Sequence, residues 1–177
     1  MKRYDTRLLS LRLICLLGMF AIGGVCAPAN VGAVTTNFYH TAQAANPAPL
    51  ADASVNLDAK RLYALGMIET GNDDQAVGLA GEISRYQLSP SVWKCYSRSM
   101  SYQNPQVAIE VARLHWKYLA AYFTEKTGRI PTDFDMYVLW NTRFGYYAHR
   151  DFSKHHLAYV VTERAQRFVN LVNRKMG

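Results

Sequence analysis

Apolar residues recur at helical spacing in several stretches of this chain, and no stretch alternates convincingly between apolar and polar residues. The first such stretch runs from about Asp58 to Thr70. Asp58 can cap the start of a helix here, and the following Gly71-Asn72 can end it. The apolar positions of this predicted helix repeat at three-residue spacing, at Leu62, Leu65 and Ile68.

Three further helices are predicted, each from a recognisable start. The dipeptides Ser89-Pro90 and Asn104-Pro105 each place a capping side chain before a first-turn proline. Thr132, with Asp135 three residues later, resembles a capping box. The helix that follows Asn104 is the best defined and is expected to end at Gly128. Its buried face is predicted to contain Val107, Val111, Leu114, Tyr118, Tyr122 and Phe123.

The C-terminal part of the chain continues the helical pattern. The helix from Thr132 is predicted to run through FDMYVLWNTRFGYYAH, and a last helix to begin at about Asp151. The elements together predict a mainly α fold. The apolar positions of the last helix are Leu157, Val160, Val161, Phe168, Leu171 and Val172. Its basic residues, interpreted as a solvated face, are Arg164, Arg167, Arg174 and Lys175.

The N-terminus has the organisation of a secretory signal. A basic start, MKRYDTRLLSLR, precedes the apolar run LICLLGMFAIGGVCA, which is short for a membrane span, and the small-residue motif Val31-Gly32-Ala33 follows. We therefore predict a cleaved signal peptide over 1–33, a flexible Ala/Pro/Asn/Thr-rich leader over 34–54, and one folded domain over 55–177. The alternative is an uncleaved membrane anchor. From the signal peptide we also predict export to the periplasm or cell envelope, with no stable membrane span after the signal is removed.

Composition and charge narrow the class of protein. The chain has 177 residues, of which 50% are apolar, so one packed domain is feasible. Four basic residues and one acid lie in 1–33, so the net charge of +7 falls to +4 for the rest of the chain. A mild excess of this kind suits a polyanionic surface such as the cell wall. The chain contains no run of Lys and Arg that would indicate nucleic-acid binding. We take a monomer as the default oligomeric state.

The cysteines predict no disulfide framework. Cys15 and Cys26 lie in the predicted signal, so Cys95 is expected to be the single thiol of the exported chain. Because Cys95 lies between aromatic residues in VWKCYSR, we interpret it as a small buried apolar residue rather than a nucleophile.

A series of landmarks follows Glu69 at fixed spacing. Glu69-Thr70-Gly71 opens the series, and Ala76-Val77 lies seven and eight residues after the glutamate. Gly81, Gln87 and Pro90 lie twelve, eighteen and twenty-one residues after it. This register resembles the catalytic signature of soluble lytic transglycosylases, which belong to the lysozyme-like superfamily.

The resemblance continues downstream. Asn104-Pro105 matches the dipeptide that opens a long helix in that family, and the segment 139–143, LWNTR, aligns with its A-Y-N-A-G segment. The matches span about Asp58 to Gly145. The chain departs from the family where G-L-M-Q reads Ser84-Arg85-Tyr86-Gln87. It departs again at Trp140, where relatives carry a tyrosine whose hydroxyl lies near the catalytic acid.

The resemblance implies a lysozyme-like fold and an activity on peptidoglycan glycan strands. Glu69 would be the general acid and base that cleaves the β-1,4 bond between N-acetylmuramic acid and N-acetylglucosamine, leaving 1,6-anhydromuramyl ends. Gln87 would bind the sugar or the neighbouring loop backbone, and Asn141 would orient the acid or the substrate. Tyr86 and Trp140 would stack on pyranose rings. No cofactor and no metal would be required.

Several alternatives stay open. Glu69 could be a solvated acid at a helix end, and Trp140 a core residue. If Asp73 or Asp74 faced Glu69 across the sugar, the protein would be a hydrolytic lysozyme. A third possibility is a non-catalytic glycan-binding or envelope-assembly protein on the same fold. The potential metal ligands of the C-terminal part lack the spacing of known metal motifs; they are His149, Asp151, His155 and His156.

Overall fold

The computed structural model describes residues 56–174, and this part of the chain is mainly α, as predicted. It contains no β-strand; two residues, Ile83 and Leu88, form an isolated antiparallel bridge. The predicted signal over 1–33 and leader over 34–54 lie outside the described residues. The helices are α1 (Ala59–Glu69), α2 (Pro90–Tyr96), α3 (Pro105–Thr127), α4 (Asp133–Asn141) and α5 (Tyr159–Asn173), with 3-10 turns at Ala148–Arg150 and Lys154–His156.

The predicted helix caps are confirmed. The side chains of Asp58, Ser89 and Asn104 accept hydrogen bonds from first-turn backbone N–H groups of α1, α2 and α3. Thr132 and Asp135 form a complete capping box at the start of α4. The third helix ends at Gly128, whose φ of 66° lies in the left-handed region that favours glycine.

Two helix boundaries differ from the prediction. The fourth helix ends at Asn141, because Thr142 adopts an extended conformation and Gly145 reverses the chain with a φ of 85°. The fifth helix begins at Tyr159 rather than Asp151. Asp151 and Phe152 have φ values of 56° and 51°, and an α-helix cannot pass through residues in that conformation.

The buried face of α3 also differs from the prediction. Leu114 and Tyr118 are 46% and 40% exposed, respectively. The helix instead turns Trp116 inward, with small alanines beside it, and thereby buries the largest apolar side chain it carries. Its buried residues are Ala108, Val111, Ala112, Trp116, Leu119, Ala120 and Phe123.

Helix α5 packs across both α4 and α1. Phe168 of α5 is fully buried, and its ring stacks on Tyr137 of α4 at a centroid distance of 5.2 Å. The same ring lies 5.9 Å from Trp116 of α3. This aromatic centre packs α3, α4 and α5 against one another.

A buried ionic network joins the starts of α1 and α4. Arg61 is 7% exposed; its Nη1 donates to Asp58 at 2.7 Å and its Nε to Asp133 at 2.6 Å. Burial opposes the charge on Arg61, but the contacts with Asp133 and Asp58 outweigh it and raise the pKa of the guanidinium. The network therefore fixes the direction in which α1 runs toward its last residue.

Cys95 is exposed, so its interpretation as a buried residue is wrong. It lies in α2, whose only fully buried side chain is Trp93, and it is disulfide-bonded rather than a free thiol. The chain's other cysteines, Cys15 and Cys26, lie outside the described residues.

Within residues 56–174, no helix combines the length and the apolar character needed to cross a bilayer.

His115 of α3 is a titratable group inside the aromatic packing. Its ring lies 5.3 Å from that of Trp140, and its Nδ1 lies 3.2 Å from the hydroxyl of Tyr96. Burial lowers the pKa of His115 from 6.5 to about 4. The unfolded chain therefore binds more protons than the folded protein between these two values.

We expect the stability of the protein to fall as the pH is lowered from about 6.5 to 4. The contribution of His115 is complete above pH 6.5 and amounts to at most about 3 kcal/mol. The substitution His115→Gln should remove this pH-dependent contribution. Denaturant unfolding at pH 7 and pH 4 would measure the free energy of both proteins. A pH dependence as steep in the variant as in the wild type would contradict the expectation.

Candidate active site

Glu69 is the last residue of α1, and its side chain is only 4% exposed. Its Oε1 accepts a hydrogen bond from the hydroxyl of Tyr137 at 2.7 Å. Its Oε2 lies 3.5 Å from Nη2 of Arg164. The side chain is therefore not a solvated acid at a helix end. It is a buried carboxylate that receives contacts from two other helices.

The end of α1 is held by the residues that follow Glu69. The hydroxyl of Thr70 donates to the carbonyl of Arg85 at 3.0 Å and accepts from the N–H of Asp73. Gly71 and Asn72 then reverse the chain with φ values of 73° and 66°. The Thr-Gly pair after the glutamate thus anchors the polar loop to the end of the helix.

Gly66 allows the loop to approach the helix closely. The amide of Asn72 packs over the bare Cα of Gly66, and a Cβ at this position would lie 2.1 Å from Asn72 Oδ1. The backbone N–H of Asn72 also donates to the carbonyl of Gly66 at 3.0 Å. Any larger residue at position 66 would displace the loop beside Glu69.

Tyr137 is fully buried on α4, and its hydroxyl is the centre of the site. Burial, followed by the negative charge of Glu69, raises the pKa of Tyr137 well above its usual value. The phenol therefore keeps its proton at any physiological pH. Tyr137 can donate a hydrogen bond to Glu69 in every state of the site.

Arg164 reaches the same centre from α5. Its Nε and Nη2 donate to the Tyr137 hydroxyl oxygen at 3.2 and 3.1 Å. Burial opposes its charge, but the contacts with Tyr137 and Glu69 raise the pKa of the guanidinium. Its side chain is 23% exposed, so the prediction that Arg164 belongs to a solvated face is wrong.

The sequence held a signal for Arg164 that the prediction missed. Val160, Arg164 and Phe168 are spaced four residues apart, so they lie on one face of α5. A cation within an apolar stripe requires a buried partner, because an unpaired charge is costly to remove from water. Nothing in the sequence identifies that partner as Glu69.

Gln87 turns toward its own loop. Its φ is 52°, and its Nε2 donates to the carbonyl of Ser84 at 3.2 Å. Its Oε1 packs over Gly78, where a Cβ would lie only 2.5 Å away. Of the two roles expected for Gln87, this geometry corresponds to binding the loop backbone.

The two aromatic residues expected to stack on sugars serve the core in this structure. Tyr86 is 1% exposed, so its ring is too deeply buried to stack on a sugar in this structure. Trp140 is partly buried against His115 and Trp116, and its indole N–H donates to the carbonyl of Tyr86 at 3.3 Å. This hydrogen bond connects α4 to the turn that carries Gln87. Burial of the two rings stabilises the contact, because large aromatic side chains gain most from burial.

Asn141 is the last residue of α4 and is partly exposed. Its side chain makes no hydrogen bond within the described part of the chain. The structure therefore brings Glu69 together with Tyr137 and Arg164, and not with Asn141.

The acids nearest to Glu69 in sequence have their own partners. Asp74 receives two hydrogen bonds from Arg85, from Nε at 2.6 Å and from Nη2 at 2.5 Å. Asp73 accepts from the backbone N–H of Gln75 at 2.8 Å, which closes a tight turn. Both carboxylates thus stabilise the loop.

A surface depression of about 450 Å³ lies along α1. Apolar residues and the side of one guanidinium line most of it: Leu62, Tyr63, Arg85, Tyr86 and Ile109. Over residues 56–174, no three or more acidic, cysteine or histidine side chains are grouped as a metal ion would require. In the C-terminal part, Nδ1 of His156 lies 3.9 Å from Oδ2 of Asp151.

Comparison with known proteins returned no relative: no protein-family model, curated protein or solved structure matches the chain.

Tyr137→Phe should destabilise the protein by about 1 to 3 kcal/mol, because it leaves a buried carboxylate oxygen without this donor. The free energy of unfolding, measured with denaturant, tests this. Tyr63→Phe is the matched control, since Tyr63 is 52% exposed and should change the stability by less than about 0.5 kcal/mol. Equal stabilities of the two variants would argue against a structural role for the Tyr137 hydroxyl.

Proposed function

We propose that this protein is a peptidoglycan lytic transglycosylase with a lysozyme-like fold, and that Glu69 is its general acid and base. The observation that carries the proposal is the burial of the Glu69 carboxylate at the end of α1, in hydrogen-bond contact with Tyr137. The fixed register from Glu69 to Pro90 supports it independently. A buried carboxyl with a specific partner is the kind of group that acid catalysis requires.

The chemistry uses one acid and consumes no water. Glu69 donates its proton to the oxygen of the bond between N-acetylmuramic acid and N-acetylglucosamine, and that bond breaks. The C6 hydroxyl of the muramic acid residue then attacks C1 and returns its proton to Glu69. The products are a 1,6-anhydromuramyl end and a free C4 hydroxyl on N-acetylglucosamine.

The environment of the two neighbouring aspartates favours this route over hydrolysis. A hydrolytic lysozyme of the usual type needs a second carboxylate across the sugar from the acid. Asp74 is paired with Arg85, and Asp73 closes a turn, so both carboxylates are engaged within the loop. This supports the lytic reaction.

Tyr137 supports the proposed family despite the departure at position 140. Relatives of the resembled family place a tyrosine hydroxyl near the acid, and this chain has Trp140 at the matching position. Tyr137 lies one turn earlier on the same helix, and its hydroxyl contacts Glu69 at 2.7 Å. The chain can therefore meet the same chemical need from a different position.

The proposed substrate and location follow from the same function. The partner would be the glycan strand of the cell wall, reached after export, with the protein acting as a monomer. A net charge of +4 outside residues 1–33 complements an anionic wall.

A non-catalytic glycan-binding or envelope-assembly role is the second candidate, and the burial of the site favours it. At 4% exposure, the Glu69 side chain is reached by a sugar only after neighbouring side chains move. Tyr86, an expected sugar-stacking residue, is buried in the core. An ion pair that merely stabilises the fold would have the same contacts.

Glu69→Gln should reduce the release of soluble fragments from peptidoglycan by at least about a hundredfold, the usual contribution of a general acid. Purified wild-type and variant proteins would be incubated with sacculi and the products analysed by mass spectrometry. Anhydro ends are expected from the wild type, and reducing ends would indicate a hydrolase.

Asp73→Asn is the matched control, because asparagine retains the oxygen that closes the turn. It should leave both the rate and the anhydro products unchanged. If the wild type releases no more than Glu69→Gln and yet sediments with sacculi, the binding role is correct and the enzyme proposal fails.

A further inference from the structure

The hydroxyl of Tyr137 has only one possible hydrogen-bond direction toward Glu69. Its oxygen accepts two N–H groups from Arg164, at 3.2 and 3.1 Å, so its lone pairs are engaged. The remaining O–H proton points to Oε1 of Glu69 at 2.7 Å. Arg164 therefore fixes the Tyr137 hydroxyl as a hydrogen-bond donor to Glu69.

We propose that Arg164 is the positioning residue of the site: it orients the Tyr137 hydroxyl toward Oε1 of Glu69 and stabilises the negative charge of the carboxylate from 3.5 Å at Oε2. This inference rests on the proposed function. Glu69 then donates its proton to the departing sugar oxygen and recovers one from the C6 hydroxyl. Arg164 touches no substrate in this scheme and acts through Tyr137 and Glu69.

Arg164 also stabilises the carboxylate that forms when the proton leaves. Its Nη2 lies 3.5 Å from Oε2, and both side chains are largely removed from water. Charges interact more strongly in the protein interior than in water. The cation favours the charged form of the carboxyl. Its removal should therefore make Glu69 retain its proton to higher pH.

Other charged groups on the elements around Glu69 are engaged elsewhere. Arg61 of α1 binds Asp58 and Asp133, and Arg85 in the loop binds Asp74. Glu163 of α5 pairs with Arg167 and also acts on Arg164. Tyr137 from α4 keeps its proton, and Arg164 is the cation of α5 that contacts the Glu69 carboxylate.

The first test follows the titration of the Glu69 carboxyl by NMR, with ¹³C-labelled glutamate and assignment by Glu69→Gln. Arg164→Gln should move this titration upward by about one to three pH units, as expected for the loss of a neighbouring cation. Arg164→Lys should bring the Glu69 titration most of the way back to its wild-type position. Arg167→Gln, on the same helix and 58% exposed at its side chain, should leave it unchanged.

The second test follows fragment release from sacculi as a function of pH. Arg164→Gln should lower the maximal rate and shift the high-pH limb upward by the same amount as the titration. Arg164→Lys should restore the wild-type position of the high-pH limb but only part of the maximal rate, because an ammonium cannot reproduce the two contacts of the guanidinium with Tyr137. Adding Tyr137→Phe to Arg164→Gln should cause little further loss of rate.

The outcomes separate the two proposals. A Glu69 titration that is the same in Arg164→Gln and wild type overturns the inference, whatever the activity. So does full additivity of Tyr137→Phe and Arg164→Gln in the rate. If the titration shifts as expected but the wild type releases no fragments, the electrostatic role of Arg164 stands and the proposed enzymatic function fails.

Discussion

The arrangement of α1, α4 and α5 depends on the burial of one carboxylate, that of Glu69. A charge taken out of water costs several kcal/mol unless hydrogen bonds and an opposite charge compensate it. Here the hydrogen bond comes from Tyr137 on α4 and the opposite charge from Arg164 on α5. The three helices must therefore meet at the end of α1, and the stacking of Phe168 on Tyr137 packs apolar area around that point.

A second ionic contact holds the other end of α1 against α4. Arg61 binds Asp133 near the start of both helices, and Glu69 binds Tyr137 near the end of α1. With two separate anchors, α1 has little freedom to slide or rotate against α4. The catalytic role that we propose for Glu69 would require such rigidity, because a catalytic geometry must hold within a fraction of an ångström. The loop after Glu69 is fixed to the same body, through Thr70 and the carbonyl of Arg85.

Trp140 and Tyr137 of α4 have different roles in the structure. Trp140 occupies the position of the family's tyrosine but uses its indole N–H to hold the turn at Tyr86. The hydroxyl near the acid comes instead from Tyr137, three residues earlier on the same helix. The hydroxyl that contacts Glu69 and the indole that holds the turn therefore belong to two residues of the same helix, α4.

Local interactions made much of the fold predictable from the sequence. The caps at Asp58, Ser89, Asn104 and Thr132 depend on contacts within three residues, and all four helices begin where those caps indicate. Glu69 could be singled out because its landmarks lie at fixed distances along the chain.

The tertiary structure decided what lies beyond such short distances. The C-terminal end of α4 and the start of α5 depend on positive φ values in the connecting segment, which the helical periodicity of the flanking residues does not reveal. The buried face of α3 depends on which side accommodates Trp116. The partner of Glu69 depends on a residue 95 positions away, and only the packing of α5 across α1 and α4 brings the two charges together. The sequence by itself thus determined the helices and the candidate acid, because those follow from neighbouring residues. The folded chain determined the acid's environment, because burial is a property of the whole domain.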